Sequence, residues 1–187
     1  HQFEICAPND GAAAAVVCSP DVVQDRGIDD AVEILTTTHR TEKFPSPRGG
    51  TYCATPAGNE PVSAMTADAA YEKAGVEPED IDIAEVQDTN AFEEIRWYEQ
   101  LDFCEDGEGG TFIESGASRR DGELPVNVSG GLISKGEPPG ASHLGQVHEL
   151  ATHLRGEAGD RQIPDASVAL GHVVGAMGQC GVTILQS

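Results

Sequence analysis

The chain has 187 residues, 39% of them hydrophobic, which suits one globular domain or one domain with a piece of another. Its formal charge of −21 has the wrong sign for phosphate, which argues against nucleic acid and anionic membrane surfaces as partners. No apolar run reaches the roughly 18 residues that a membrane span requires, and no charged-then-apolar leader opens the chain.

The acidic residues are spread through "EPEDIDIAE", "FEEIRWYEQLDFCEDGEGG" and "RGEAGDRQIPD", while Lys is confined to Lys43, Lys73 and Lys135. That pattern fits a protein working in high salt, where screening shortens charge repulsion to a few ångströms. Cys6, Cys18, Cys53, Cys104 and Cys180 form no CxxC pair, as expected of a reduced, intracellular protein, and the expected location is cytoplasmic. The opening "HQFEICAPND" has no initiator Met and is already strand-like, so further sequence is expected upstream.

In chain order, "GAAAAVVC" reads as a short buried strand, and "SPDVVQDRG" as a helix capped by Ser19, opened by Pro20 and ended by Gly27. "DAVEILTTTHR" reads as a strand, and residues 44–61, rich in Pro and Gly, as a long loop. "VSAMTADAAYEKAG" is a helix ended by Gly75, and "VEPEDIDIAEVQD" a turn and a strand. "NAFEEIRWYEQLDFC" is a helix with Phe92, Ile95 and Leu101 near one face, and "EDGEGGTFIESGASRRDGELP" an acidic loop. A glycine- and proline-rich stretch then leads into a helix starting near Ala141–Ser142 that carries Leu144, Val147, Leu150, Ala151 and Leu154. "ASVALGH", ending at His172, and "CGVTILQS" are the final strands, joined by "VVGAMGQ". Buried strands alternating with helices predict a layered α/β fold.

Several motifs can be set aside. "HELATH" lacks the i,i+4 pair of His that a zinc-protease helix needs: His148 and His153 are five apart, about 140° around a helix, and His143 does not rescue the spacing. Glu149 and His153 are expected to pair on a solvated face, so no metal site is expected. No GxGxxG or GxxxxGK[ST] follows a strand, so no nucleotide loop is expected. "GGLISKGEPPGAS" is different in kind. Its glycines permit unusual backbone and its prolines stiffen it, so it can hold Glu137 at a defined point; the plainer alternative is a tight connection with a solvated acid. Glycines behind His172 allow backbone N–H groups to face a ligand, as in an oxyanion hole, although a lone His at a strand end is more often structural.

Together these blocks resemble the C-terminal half of a thiolase. "DGAAAAVV" resembles the last strand of the thiolase N-terminal domain. "DIDIAEVQDTNAFEEI" resembles "DIDxxExHDAFxxxE" of the sterol-carrier type. "LPVNVSGGLISKGEPPGASHLGQVHELATHLRG" resembles "xPVNxSGGxxxKGHPxGATGxxQxxExxxQLRG", and "GHVVGAMGQCGVTIL" resembles "xCxGGGMGxxxxxTxL". The resemblance implies residues 1–29 as the end of an N-terminal domain and 30–187 as the C-terminal domain, with an α/β/α layering. It also implies a tightly packed dimer, or assembly with the N-terminal half.

The resemblance further implies acyl transfer on CoA thioesters, by Claisen condensation or thiolysis, with no cofactor beyond the CoA substrate. The nucleophilic Cys of such enzymes lies outside this chain. Glu137 occupies the position of the loop His that binds the thioester oxygen, His172 that of an acid/base Cys, and Gln87 the first polar position of "HDAF". These three are the candidate catalytic residues, and Gly175, Asn90, His143 and Ser142 the candidate substrate contacts. An ionised Glu137 would repel an oxyanion, so it must be protonated, act as a base or orient another donor; burial would favour the first two. His172 would serve as acid/base near neutral pH, and His143 would return a cationic or donor group to the pocket. The replacement of the loop His leaves two alternatives open. One is an aldolase or lyase acting on a β-hydroxyacyl-CoA beside an OB-fold and zinc-ribbon partner. The other is a non-catalytic subunit that binds acyl-CoA or lipid.

Overall fold

The computed structural model describes residues 1–42, 61–175 and 178–187. Cys53, and the loop expected over 44–61 apart from Pro61, lie outside them.

The secondary elements are α1 (Pro20–Arg26), β1 (Glu33–Thr41), α2 (Val62–Ala74), β2 (Ile83–Glu85), α3 (Ala91–Gln100), α4 (Gly109–Ser115), α5 (Gly131–Lys135), α6 (Ser142–Leu154), β3 (Val168–Gly175) and β4 (Gln179–Gln186). The four strands form one sheet in the order β1-β4-β3-β2, with β2 parallel to β3 and the other pairs antiparallel. The central strands are buried on both faces because helices cover both. On one face Ala84, Leu170, Val182 and Ile184 pack with Val62, Ala67 and Ala70 of α2 and Trp97 and Tyr98 of α3. On the other, Ile83, Ala169 and Leu185 pack with Leu150 and Leu154 of α6. The alternation of strand side chains between faces thus builds two cores, and the layered α/β/α fold expected from the sequence is present.

Most boundaries fall where the local chemistry puts them. Gly27 and Gly75 close α1 and α2 in the left-handed conformation, which a Cβ would disfavour. Four expectations are corrected. "GAAAAVVC" forms no strand, and Val16 and Val17 are 98% and 72% exposed. A strand needs a neighbour for its backbone groups, and none of the described strands lies beside it. The acidic loop contains α4, whose Gly109 N–H bonds Glu99 Oε1 and whose Phe112 packs on Tyr98 with ring centres 5.1 Å apart. Tertiary partners, invisible to local pattern, create that helix. Phe92 points outward, 67% exposed, because the buried face of α3 runs through Glu93, Trp97 and Tyr98. Leu144 is likewise 38% exposed at the start of α6. Finally, β3 does not stop at His172 but continues to Gly175, held by antiparallel pairing with β4 down to Gly175–Gln179.

Candidate functional site

The residues 126–137 are shaped by acids at the end of β2 and on the segment that follows it. Glu85, 1% exposed, accepts from Ser129 N (3.0 Å) and Ser129 Oγ (2.6 Å), with Lys135 Nζ 3.6 Å away. Asp88, 2% exposed, accepts from Leu132 N (2.6 Å) and Ile133 N (3.2 Å) at the start of α5. Asn127, in the left-handed conformation (φ 53°), accepts from Val86 N at 2.9 Å and donates to Glu94 Oε1 at 3.0 Å. The "GG" of the motif has a steric reason. A Cβ on Gly131 (φ 64°) would lie 2.6 Å from Asp88 Cγ, inside the carboxyl group itself. Burial pushes the carboxyls of Glu85, Asp88, Glu93 and Glu94 above their usual range, Asp88 to about 7.

Glu137 follows directly, half-buried, and meets Gln87. Gln87 Nε2 donates to Glu137 Oε1 at 2.6 Å, and Val174 N donates to Gln87 Oε1 at 2.5 Å. The Val174 N–H leaves Gln87 only one amide orientation, with its NH2 toward Glu137. One N–H of that NH2 bonds Glu137. The backbone carbonyl of Gln87 accepts from Trp97 Nε1 at 2.8 Å. The second oxygen of Glu137, Oε2, accepts from Cys6 Sγ at 3.3 Å. Both oxygens of Glu137 thus accept hydrogen bonds from the protein.

The other expected site residues are dispersed. His172 is fully buried and faces the α2–α3 layer. Its Nε2 lies 2.9 Å from Ser63 Oγ, and its ring sits 4.9 Å from that of Trp97. Burial, with His143 nearby, holds its pKa down to about 3, so it is neutral at physiological pH. Gly175 ends β3 opposite Gln179, and the N–H directed at Gln87 is that of Val174 rather than one at Gly175. Asn90 caps α3 through Glu93 N (3.0 Å), and Ser142 Oγ returns to Pro138 O (3.0 Å). His143 bonds Gln146 Oε1 (2.9 Å) and Thr183 Oγ1 (3.0 Å). Burial lowers its pKa, which disfavours the cationic form expected from the sequence.

In "HELATH", His153 and Glu149 do approach (Nε2 to Oε1, 3.3 Å), but the pair is buried, not solvated. Ile163 N donates to His153 Nδ1 at 3.2 Å, and Arg161 NH2 bonds both Glu149 oxygens. His148 is exposed. An open cleft of about 450 Å³ among Ile81, Phe103, Phe112 and Leu124 contains none of the candidate residues.

Sequence reasoning missed Cys6, Asp88, Ser63 and Trp97. Asp88 was within reach, since it adjoins Gln87 in "QDT". Cys6 is joined to Glu137, and Ser63 to His172, only by long-range contacts, and no local pattern marks them.

Comparison with known proteins agrees with this architecture. The family described as thiolase C-terminal domain-like matches residues 57–187. Sterol carrier protein 2 of Bos taurus is 43% identical over 183 residues, covering 97% of this chain and 33% of that protein. An acetyl-CoA acetyltransferase of Methanothermobacter thermautotrophicus is 36% identical over 177 residues, covering 92% of this chain and 44% of that protein. Among solved structures, the "Ltp2-ChsH2(DUF35) aldolase" superposes with a TM-score of 0.71 at 23% identity, covering 83% of this chain and 39% of that one. The chain thus spans between a third and a half of the length of these relatives. It belongs to the thiolase family and corresponds to its C-terminal half.

Proposed function

We propose that the full-length protein makes or breaks a carbon–carbon bond beside the carbonyl of a CoA thioester, as a thiolase-type acyltransferase. The observation that carries this reading is the chain Val174 N–H to Gln87 to Glu137. It joins the three segments where the family motifs lie: the turn after β2, the loop before α6 and the end of β3. In this reading the nucleophile comes from sequence outside this chain and takes up the acyl group. The second N–H of Gln87 donates to a substrate carbonyl oxygen as charge develops on it. Glu137, held by two donors, takes a proton from the incoming thiol of CoA or from the α-carbon. No cofactor is required beyond the CoA substrate. His172 is buried in the arrangement described, so a proton role for it needs a path to the substrate that opens on assembly with the missing half. The test is turnover of acetoacetyl-CoA plus CoA to acetyl-CoA by the full-length protein in high salt. A folded protein without turnover overturns it.

One observation favours a second reading. Glu137 is placed as an acceptor where an acyl-transfer site wants a donor. A carboxylate there suits a retro-aldol step on a β-hydroxyacyl-CoA: it takes the β-hydroxyl proton and the Cα–Cβ bond breaks. The electron pair passes to the thioester enolate, which is then protonated at Cα. The resemblance to an aldolase assembled with a DUF35 protein is compatible with such a step and with an OB-fold partner. Release of a free aldehyde or ketone, with no acyl-enzyme formed, separates this reading from the first.

A further inference from the structure

We infer that Cys6 is a positioning residue for Glu137, delivered by an N-terminal segment that is part of the site. The inference rests on Glu137 being the working group proposed above. Residues 5–9 lie between the two loops that carry Gln87 and Glu137. On one side Cys6 N donates to Thr89 O at 3.0 Å, and Ile5 bridges Asn90. On the other, Glu137 N donates to Ala7 O at 2.9 Å, Asn9 N to Glu137 O at 3.2 Å, and Asn9 Nδ2 to Lys135 O at 3.2 Å. The fit is close: a Cβ on Gly136 (φ 85°) would lie 2.6 Å from Asn9 Nδ2. Both backbone groups of Glu137 are therefore bonded to the segment. Cys6 Sγ completes the grip at Oε2, opposite Gln87 at Oε1.

The same geometry says what the thiol does not do. Cys6 is 7% exposed. Burial first, then the hydrogen bond and charge of Glu137 and the charge of Asp88, push its pKa up to about 12. A thiol held protonated is a poor nucleophile and a steady donor. Its function is to keep the carboxylate from rotating away from Gln87.

Two measurements on the full-length protein test this. The first is the pH midpoint of Cys6 alkylation by iodoacetamide, followed by peptide mass spectrometry with the exposed Cys18 as internal reference. Glu137→Gln lowers the Cys6 midpoint by about one unit, a tenfold rise in alkylation at fixed pH. An unchanged midpoint in folded Glu137→Gln overturns the contact, whatever the activity. The second is the split between kcat and KM for whichever CoA substrate is turned over. Cys6→Ser keeps a donor and stays within about threefold of wild type. Cys6→Ala loses about tenfold, carried by kcat with KM little changed, because the carboxylate is no longer held on Gln87. A Cys6→Ala kcat and KM identical to wild type overturn the positioning role even if the contact stands.

Discussion

Gly131→Ala is the substitution for which the structure gives the plainest magnitude. Gly131 has φ 64°, and any Cβ would fall 2.6 Å from Asp88 Cγ. Holding an Ala in left-handed backbone costs about 1–2 kcal/mol. At pH 8, where Asp88 is ionised, making room also drives its carboxylate off Leu132 N and Ile133 N, hydrogen bonds to a charged group taken together as about 1.5–3 kcal/mol. Together these come to about 2.5–5 kcal/mol. At roughly 2–4 °C per kcal/mol for a cooperative unit of this size, Tm should fall by roughly 10 °C, measured by circular dichroism. The clash can be separated from the backbone strain. In an Asp88→Ala background the carboxylate is already gone, so Gly131→Ala should there cost only the backbone share, leaving a coupling of about 2 kcal/mol. A Tm within about 2 °C of wild type, or additive double-mutant costs, would refute the account of the "SGG" turn.

Three further outcomes follow from the same geometry. Asp88 is protonated in the folded chain up to about pH 7 but ionises near pH 4 when unfolded, so between those values the folded state binds more protons and stability falls as pH rises. The Tm of wild type relative to Asp88→Asn should therefore drop between pH 4.5 and pH 7.5. His172 works in the opposite sense. Unfolded, it takes a proton near pH 6.5; folded, not until about pH 3, so its contribution is lost as pH falls through that window. His172→Phe should remove this acid sensitivity, and NMR should find the wild-type ring neutral at pH 5. The formal charge of −21 predicts that raising KCl from about 0.1 M to about 2 M raises Tm by several degrees; a flat response contradicts the high-salt reading.

Much of the layered fold could be read from the chain because its elements carry local signals. Pro20 and Gly27 bound α1, Gly75 ends α2, and β3 and β4 are apolar runs buried on both faces. The failures share a cause. "GAAAAVVC" has strand character but no neighbouring strand among those described, α4 depends on Glu99 and Tyr98, and Phe92 lost the buried face to Trp97. At the site, Glu137 and Gln87 were legible because each lies inside a dense motif, and the structure joins them. The burial of His172 was not legible, since it is set by Ser63 and Trp97 from other helices. Cys6 escaped for the same reason, its contact spanning 131 residues of sequence.

The most direct test compares wild-type full-length protein with Glu137→Gln in the CoA-dependent cleavage of acetoacetyl-CoA. The account predicts wild-type formation of acetyl-CoA and a loss of about 100-fold in kcat/KM for the variant with its fold intact, the usual scale for removing a positioned base. A variant as active as wild type would contradict it, as would a folded wild type inert toward both acetoacetyl-CoA and β-hydroxyacyl-CoA.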